Sequence, residues 1–289
     1  MKNQLIFILA IVLLVGCGKQ SSKTEKPTIT VSILPQKYIV EQIAKDYFDV
    51  NVMVVAGASP ATYSPTPKQM TQLDKSEAYL KIGHIGYEQT WMKKVKAIHR
   101  NLDIVDTSKG VKLIYGMEEQ HGDHVHLHGI DPHIWMAPHT FRKVAENTFS
   151  ALKKLAPKKE EEFQKGLEQL LKKIDQLHKI GQQELANKKG RTFMIFHPAL
   201  GYLAREFQLN QLAMEVDGKE PSAKHLTHIV DEAKKEGIKV IFIQKEFSTD
   251  QASMIAKEID GKVTVINPLA YNWPEEMEKI IRNLAQALN

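Results

Sequence analysis

The sequence predicts an α/β protein with two lobes, each built around a mainly parallel sheet, joined by one long rigid helix. Three observations support this fold class. Strand patterns alternate with helical patterns over residues 28–157, and the same alternation returns over 189–289. Between them, residues 158–188 contain no proline and carry an apolar stripe at helical spacing, enough for a rod of about 45 Å. A single large sheet with a long crossover is the alternative.

Composition limits which kinds of site the chain can build. The chain has 289 residues, a net charge of +5, 12 His and 1 Cys. Its length allows a substantial core, and its interspersed charges give no basic footprint for nucleic acid. A lone Cys excludes an intrachain disulfide and a thiolate-based zinc site. Histidine is therefore the side chain to examine as a metal ligand.

The N-terminus predicts export and lipid attachment. A basic start and the apolar run Leu5–Val15, too short to cross a bilayer, are typical of a secretory signal over residues 1–16. Its exit, Leu14–Cys17, resembles a bacterial lipobox, in which Cys17 becomes the lipidated first residue. Residues 17–27 then form a flexible tether. We expect an extracytoplasmic protein of the cell envelope, in the periplasm or on the outer surface; an ordinary signal peptide is the alternative.

The elements of the first lobe follow from alternation and capping. Thr66 and Gln69 flank Pro67 as a capping box that opens a helix. Apolar residues alternate in the strands and recur at helical spacing between them. The predicted strands are 29–33, 50–54, 79–82 and 104–105, and the predicted helices are 36–48, a short helix from 67, and 87–98.

The second lobe repeats this pattern. Ser222 caps one helix, which stops at Gly237, and Ser248 with Gln251 predicts a second capping box. The predicted strands are 192–196, 212–216, 240–243 and 263–266. Helices fill the intervals from 202 to 207, from 222 and from 248, and the closing helix covers 275–288.

Several polar residues fall at the ends of predicted strands. His84, His197, Gln244 and Asn267 each follow one strand, and His133 lies in a turn rich in proline and aromatic residues. Ligands bind beyond the carboxyl ends of strands in open α/β sheets. Three His with a fourth position open is an ordinary zinc coordination, although each His alone is more typical of a surface position.

Four segments carry a resemblance to a known family. Asp131–Pro138 resembles the Asp-Pro-His-x-Trp-x-x-Pro signature of the zinc- and manganese-binding lipoproteins of bacterial ABC importers, of the cluster A-I, zinc-uptake type. The segments 57–67, 197–204 and 220–222 resemble further motifs of that family. The resemblance implies two lobes bridged by a long helix, with metal held in the cleft between them. It also implies a monomeric binding protein, not an enzyme, that delivers metal to a membrane permease. No P-loop occurs, so the ATPase would be a separate chain.

The departures from the family pattern concern the ligands. Ala61 stands where the family has a ligand His, Asn267 where it has a carboxylate, and Gln244 where it often has Glu. His133 and His197 stand where the family pattern has two of its ligand histidines. We expect either a lost site or replacements. His84 is the candidate for the missing His, and Glu246 is the candidate fourth ligand, with Asn267 or water as alternatives.

The type of ligand and a second group of histidines indicate which metal ion the protein binds. Imidazole suits zinc, whereas manganese prefers oxygen donors, so Zn²⁺ is favoured over Mn²⁺. The His-rich loop 118–129 is similar to one in zinc-type members, and it predicts zinc capture before transfer to the cleft; a solvated loop with incidental affinity is the alternative. Its histidines are His121, His124, His126 and His128.

Two other functions stay open at this point. Three His with an open position can activate water, so a zinc-dependent hydrolase is one of them. Against it, the sequence has no His-Glu-x-x-His and no Gly-x-Ser-x-Gly. A degenerate, metal-free relative acting as an adhesin or accessory lipoprotein is the other, and Ala61 and Asn267 are its best support.

Overall fold

The computed structural model describes residues 26–116, 118–121, 124–127, 129–215 and 222–288. Cys17, the predicted signal segment and the tether up to residue 25 lie outside the described residues, as does His128. For 118–121 and 124–127 the description covers the backbone. Within the described part, no helix is both long and apolar enough to cross a membrane.

The first lobe is built on a parallel four-stranded sheet in the order β2-β1-β3-β4. Its central strand β1 is fully buried at Ile29 and Val31, which pair with both neighbouring strands. This agrees with the prediction, with bounds that differ by a few residues. The strands are β1 Thr28–Val31, β2 Asp49–Val52, β3 Ser76–Lys81 and β4 Asp103–Asp106.

Three helices connect these strands, namely α1 Leu34–Ala44, α2 Pro67–Gln72 and α3 Gly86–Ile98. The predicted capping box is present at the start of α2. Thr66 Oγ1 accepts a hydrogen bond from the backbone N–H of Gln69 at 3.3 Å, and Gln69 Oε1 accepts one from the backbone N–H of Thr66 at 3.0 Å. Two free amide groups at the helix end are thereby satisfied.

The segment predicted as a His-rich loop folds as a hairpin. Strands β5 Glu118–His121 and β6 His124–Leu127 pair antiparallel, with Glu119 opposite His126. The hairpin is closed at its base by a bridge between Tyr115 and Ile130, and by a 2.9 Å bond from Gly116 N–H to the Gly129 carbonyl.

Two long helices then lead to the second lobe, α4 Pro138–Leu155 and α5 Glu160–Glu184. The 25 residues of α5 make a rod of about 37 Å. This is shorter than the predicted 158–188, because both ends tighten into 3₁₀ turns, Pro157–Lys159 and Ala186–Lys188. Of the predicted apolar stripe, Leu167, Leu170, Ile174 and Leu177 are buried on α5, and Phe163 is buried beside them.

The second lobe has its own parallel sheet, in the order β10-β9-β7-β8. The presence of two separate sheets excludes the single-sheet alternative and confirms the two-lobe prediction. The strands are β7 Thr192–Ile195, β8 Asn210–Ala213, β9 Val240–Gln244 and β10 Lys262–Ile266. The helices are α6 Gly201–Phe207, α7 Ala223–Lys235, α8 Asp250–Glu258 and α9 Trp273–Ala287.

One of the two caps predicted in this lobe forms. Ser222 accepts from the His225 N–H at 3.3 Å, as expected. The Ser248 capping box is wrong, because α8 begins at Asp250 after a residue that is already helical. Ser248 Oγ instead accepts from the Asp250 N–H, and the buried Gln251 Oε1 has no hydrogen-bond partner.

One hydrophobic core extends across both lobes around α5, which packs against α1 of the first lobe and against α9, and a second cluster lies within the second lobe. Tryptophans tie the lobes together beneath the cleft. Trp135 Nε1 donates to the Pro268 carbonyl at 2.8 Å, and Trp273 Nε1 donates to the Trp135 carbonyl at 2.7 Å. The Trp273 ring stacks on Phe141 at 3.7 Å. The floor of the cleft is therefore built from both lobes.

Candidate metal site

Two imidazoles meet where the lobes face each other. His133 precedes a 3₁₀ turn that leads into α4, and His197 follows the end of β7 by two residues. Their Nε2 atoms lie 3.3 Å apart. The structure thus brings together the two histidines that carry over from the family pattern.

A carboxylate lies behind each imidazole. His133 Nδ1 is 2.8 Å from Asp131 Oδ1, which also accepts from the His133 backbone N–H at 2.9 Å. His197 Nδ1 makes a short contact with Glu215 Oε2. When each Nδ1–H is donated to its carboxylate, both Nε2 atoms present lone pairs to the same point. Metal-binding histidines are oriented by this kind of partner.

The spacing of the two nitrogens matches a tetrahedral ion. Zn–N bonds of about 2.0–2.1 Å at a tetrahedral angle place two ligand nitrogens about 3.4 Å apart. The observed 3.3 Å separation fits this value. Two facing lone pairs cannot hydrogen-bond to each other, so the arrangement suits a cation between them.

The pair opens onto a cavity of about 1000 Å³ between the lobes. Besides the two histidines and their carboxylates, residues of both lobes line it. The first lobe contributes Ser59, Pro60, Ala61, Ile85 and Gly86, and the second contributes Gln211, Gln244, Glu246, Phe247, Pro268 and Leu269. Within the described residues, no group of three or more His, Cys, Asp or Glu side chains is arranged to hold a metal ion. The preformed part of the site is therefore the imidazole pair.

Glu246, the predicted fourth ligand, lines the same cavity. Burial raises the pKa of its carboxyl, and the nearby His197 is among the groups that lower it. Gln244 has a different role from the Glu often found in the family. Its Nε2 donates to the His197 carbonyl at 2.5 Å, and its Oε1 accepts from the His197 N–H at 3.3 Å. Gln244 therefore fixes the backbone that carries His197.

Asn267 and His84 are not among the residues that line the cavity. The Asn267 backbone N–H donates to Glu276 Oε1 at 2.7 Å, at the start of α9. Burial lowers the pKa of the His84 imidazole, while Asp106 raises it and Lys81 lowers it to smaller extents. The structure does not bring His84 to the imidazole pair, so its role as a ligand stays a prediction.

Ala61 lies at the cavity wall, where it packs against the start of α3. The Tyr87 N–H donates to the Pro60 carbonyl at 2.9 Å. A Cβ at Gly86 would lie 2.2 Å from the Ala61 carbonyl oxygen, so only glycine allows this approach. The position of the missing family ligand is thus part of the wall, with a methyl group in place of an imidazole.

Helix α6 ties the His197 side of the site to the His133 side. Tyr202 is buried, its hydroxyl donates to the Asp131 carbonyl at 2.8 Å, and it accepts from the Ile114 N–H at 3.1 Å. Gly201 leaves room for the Asp131 carboxylate, which lies 2.6 Å from where a Cβ would be. The base of the His-rich hairpin follows Ile114 directly, and Tyr115, Gly116, Gly129 and Ile130 line the cavity.

Sequence reasoning missed the two supporting carboxylates. Asp131 lies two residues before His133, a spacing that allows a turn to bring both side chains together. Glu215 falls within the predicted strand 212–216, beside the strand that ends at His197. Adjacent parallel strands that end at the same edge were the available signal. Side chains of the hairpin histidines lie outside the described residues.

Comparison with known proteins gives one consistent result. The family described as zinc-uptake complex component A, periplasmic, matches residues 29–287. The chain is 29% identical to the high-affinity zinc uptake system protein ZnuA of Bacillus subtilis, over 95% of this chain and 91% of that protein. It is 28% identical to the zinc-binding lipoprotein AdcA of Streptococcus pneumoniae over 98% of this chain, but spans only 60% of that longer relative.

The fold has matching solved structures. A zinc-bound crystal structure of a ZnuA deletion mutant superposes with a TM-score of 0.83 at 34% identity, covering 92% of this chain and 99% of that one. Manganese-bound relatives superpose at 20% identity, with TM-scores of 0.79 and 0.78, which shows the shared fold.

Proposed function

Because the chain belongs to the zinc-uptake complex component A family, we propose that it captures Zn²⁺ between its lobes and delivers it to an ABC-type membrane permease. The observation that carries this proposal is the imidazole pair, with Nε2 atoms 3.3 Å apart and a carboxylate behind each ring. In this proposal zinc is cargo, so the site must hold the ion and also release it.

The donor set supports zinc over manganese. Two neutral imidazoles are nitrogen donors, which zinc accepts readily. Asp131 and Glu215 supply two negative charges next to the rings, which offset the charge of the ion. We propose Glu246 as the third ligand, since it lines the same cavity, with water or a further side chain completing the coordination.

The proposal also covers the attachment of the protein to the membrane and the role of the hairpin. Cys17 would anchor the mature chain to the membrane as a monomer, and the ATPase would be another protein. The His-rich hairpin would collect zinc at the edge of the cavity, since its base lines that cavity. The supporting observations are the lipobox pattern at Leu14–Cys17 and the four histidines between 121 and 128.

Zinc titration of untagged protein against a chromophoric chelator tests the central claim. We expect one tightly bound equivalent that disappears in His133→Ala. Deletion of residues 121–128 should remove only weaker equivalents. Protein that neither retains zinc nor competes with the chelator would support a metal-free accessory role instead. Zinc-dependent turnover of ester or peptide substrates would support a hydrolase.

A separate experiment tests the anchor. Cys17→Ser should release the protein from cells into the soluble extracytoplasmic fraction while leaving its zinc affinity unchanged. Continued membrane attachment of this variant, after correct removal of the signal segment, would contradict lipidation at Cys17.

A further inference from the structure

Helix α3 and the turn after it carry a cluster of basic residues with no acidic residue among them. Lys93, Lys94, Lys96 and Arg100 are all exposed. The chain contains no Asp or Glu from Gln89 to Leu102. Across the described part of the chain, none of the four cations forms an ion pair. Lys96 donates to a backbone carbonyl at 3.0 Å, and Lys94 lies over the Trp91 ring at 4.5 Å.

Elsewhere on the surface, some lysines are paired with acidic residues. On the long helix and the turns before it, Lys159 pairs with Glu162 at 2.7 Å and Lys165 pairs with Glu161 at 3.1 Å. Such matched pairs give a solvated face with little net field. The surface of α3 and the turn after it differs from these pairs in that four cations lie between Gln89 and Leu102 with no acidic residue among them.

Apolar side chains lie within the basic cluster. Ile98 is 65% exposed, the highest value among the exposed large hydrophobic side chains of the described structure. Trp91, partly exposed, lies on the same side of the helix, seven residues before Ile98. Basic residues interleaved with an aromatic and an aliphatic side chain are typical of a helix that rests on a lipid surface.

The end of α3 also lies where the chain enters the fold. Helix α3 starts at Gly86, beside the metal cavity, and its far end leads into β4. Asp103 at the start of β4 pairs with Ala78, and Thr28 at the start of β1 pairs with Ser76. The end of α3 and the start of β1 therefore share one edge of the sheet. A tether of about ten residues from Cys17 spans at most about 35 Å.

We propose that the exposed surface at the C-terminal half of α3 and the turn after it, with Trp91, Lys93, Lys94, Ile98 and Arg100, rests on an anionic lipid surface. The chemistry recognised is a layer of negative headgroups, with Ile98 inserted at the boundary of the acyl chains. The biological setting rests on the lipid anchor of the proposed function, because the anchor would hold this edge of the lobe near the bilayer. The metal cavity lies at the opposite end of the same helix.

The test measures binding to vesicles in the absence of the anchor. The chain from Gly18 to Asn289 keeps every residue of the described fold. It is sedimented with vesicles of phosphatidylglycerol and phosphatidylcholine, or of phosphatidylcholine alone. We expect binding only to the anionic vesicles, and loss of that binding at high salt because the charges are screened.

Variants with equal charge changes locate the surface. Lys93→Gln, Lys94→Gln and Arg100→Gln together should reduce the partition coefficient about 100-fold, since each basic residue near such a surface contributes about fivefold. The control replaces Lys154, Lys158 and Lys172 by Gln. These are exposed cations of α4, α5 and the turn between them, outside the ion pairs of the described residues, and their loss should change binding less than threefold.

Three results would overturn the proposal. Equal losses in both triple variants would mean that net charge alone drives binding. Equal binding to neutral vesicles would exclude headgroup recognition. Binding confined to membranes that contain the permease would assign the face to that protein. Zinc titration of each variant distinguishes a failure of the lipid proposal from a failure of the proposed zinc binding. Neither set of substitutions touches the cavity, so both variants should bind zinc like the wild type.

Discussion

The two walls of the metal cavity differ in chemistry. The wall from the second lobe carries His197, Glu215 and Glu246, all close to the carboxyl ends of its strands. On the first lobe, the loops that follow β2 and β3 present mainly proline, alanine, isoleucine and glycine to the cavity. The imidazole of that side, His133, comes instead from the turn before α4. The second lobe thus supplies most of the polar side chains of the cavity, and the first lobe supplies one imidazole.

This difference is tested most strongly by removing the imidazoles themselves. His133→Ala and His197→Ala should each weaken zinc binding by at least 100-fold, because each removes one of the two preformed donors and leaves a carboxylate without its partner. His84→Ala, on the first lobe but outside the lining of the cavity, should change the affinity less than twofold. Competition against a chromophoric chelator measures all three.

The His84 variant is also the test of the substitution hypothesis. If His84→Ala weakens binding as much as His133→Ala does, His84 replaces the ligand missing at Ala61. The first lobe would then have to rearrange when metal binds, and the contrast between the two walls would hold only for the metal-free protein.

Removing the supporting carboxylates should have the next largest effect. Asp131→Asn and Glu215→Gln preserve the size of each side chain but remove the charge that orients the ring and increases its basicity. Loss of such partners typically costs 10–100-fold in metal affinity. Isothermal titration with zinc gives the values. Asp106→Asn is the control, because this carboxylate pairs with Lys81 and does not line the cavity. Wild-type affinity in both site variants would show that the rings are held by packing alone.

Glu246→Gln addresses the third ligand. If Glu246 binds zinc directly, its replacement should weaken zinc affinity about tenfold, because the amide is a poorer ligand of the same shape. Burial raises the pKa of Glu246, so metal binding should release a proton where this carboxyl is still protonated. Proton release, measured by titration in buffers of different ionisation enthalpy, should decrease in the variant. Glu258→Gln, on the surface of α8, provides the matched control; an unchanged affinity for Glu246→Gln would assign the position to water.

The fold was largely predictable from the sequence, since hydrophobic alternation and capping residues act locally. The Thr66–Gln69 capping box and the buried stripe of α5 both follow from spacing alone. The Ser248 cap failed because the preceding turn already adopts helical backbone angles, which depend on how β9 connects to α8. Local signals do not carry that information.

The site was predictable only in part. His133 and His197 were identified from motifs, and the structure brings them within hydrogen-bonding distance of each other. Glu215 was missed because its contact with His197 joins two neighbouring strands, and Asp131 was missed although its contact with His133 lies within one turn. His84 was selected because it follows a strand, but the direction of a side chain after a strand depends on the turn that follows.

Only a small effect on zinc should come from Glu88, a buried carboxyl behind the first-lobe wall. Its oxygens accept from the backbone N–H groups of Ile82 and Gly83, both at 2.7 Å, and from Ser32 Oγ. Burial raises its pKa to about 7. It holds the turn that leads to Ile85 but does not line the cavity, so Glu88→Gln should change zinc affinity by less than threefold.

Its effect on stability should depend strongly on pH. Below about pH 4.5 the carboxyl is protonated in both the folded and unfolded states. As the pH rises from there to about 7, the unfolded chain releases the proton while the folded protein keeps it, so the free energy of unfolding falls by about 3 kcal/mol and is then constant. Glu88→Gln has no proton to lose, so its urea-unfolding profile should lack this decline. The exposed Glu77→Gln should follow the wild-type profile. Parallel profiles for Glu88→Gln and the wild type between pH 5 and 8 would mean that Glu88 is ionised in the fold, with its three donors stabilising the charge, and that the first-lobe wall is held by a carboxylate.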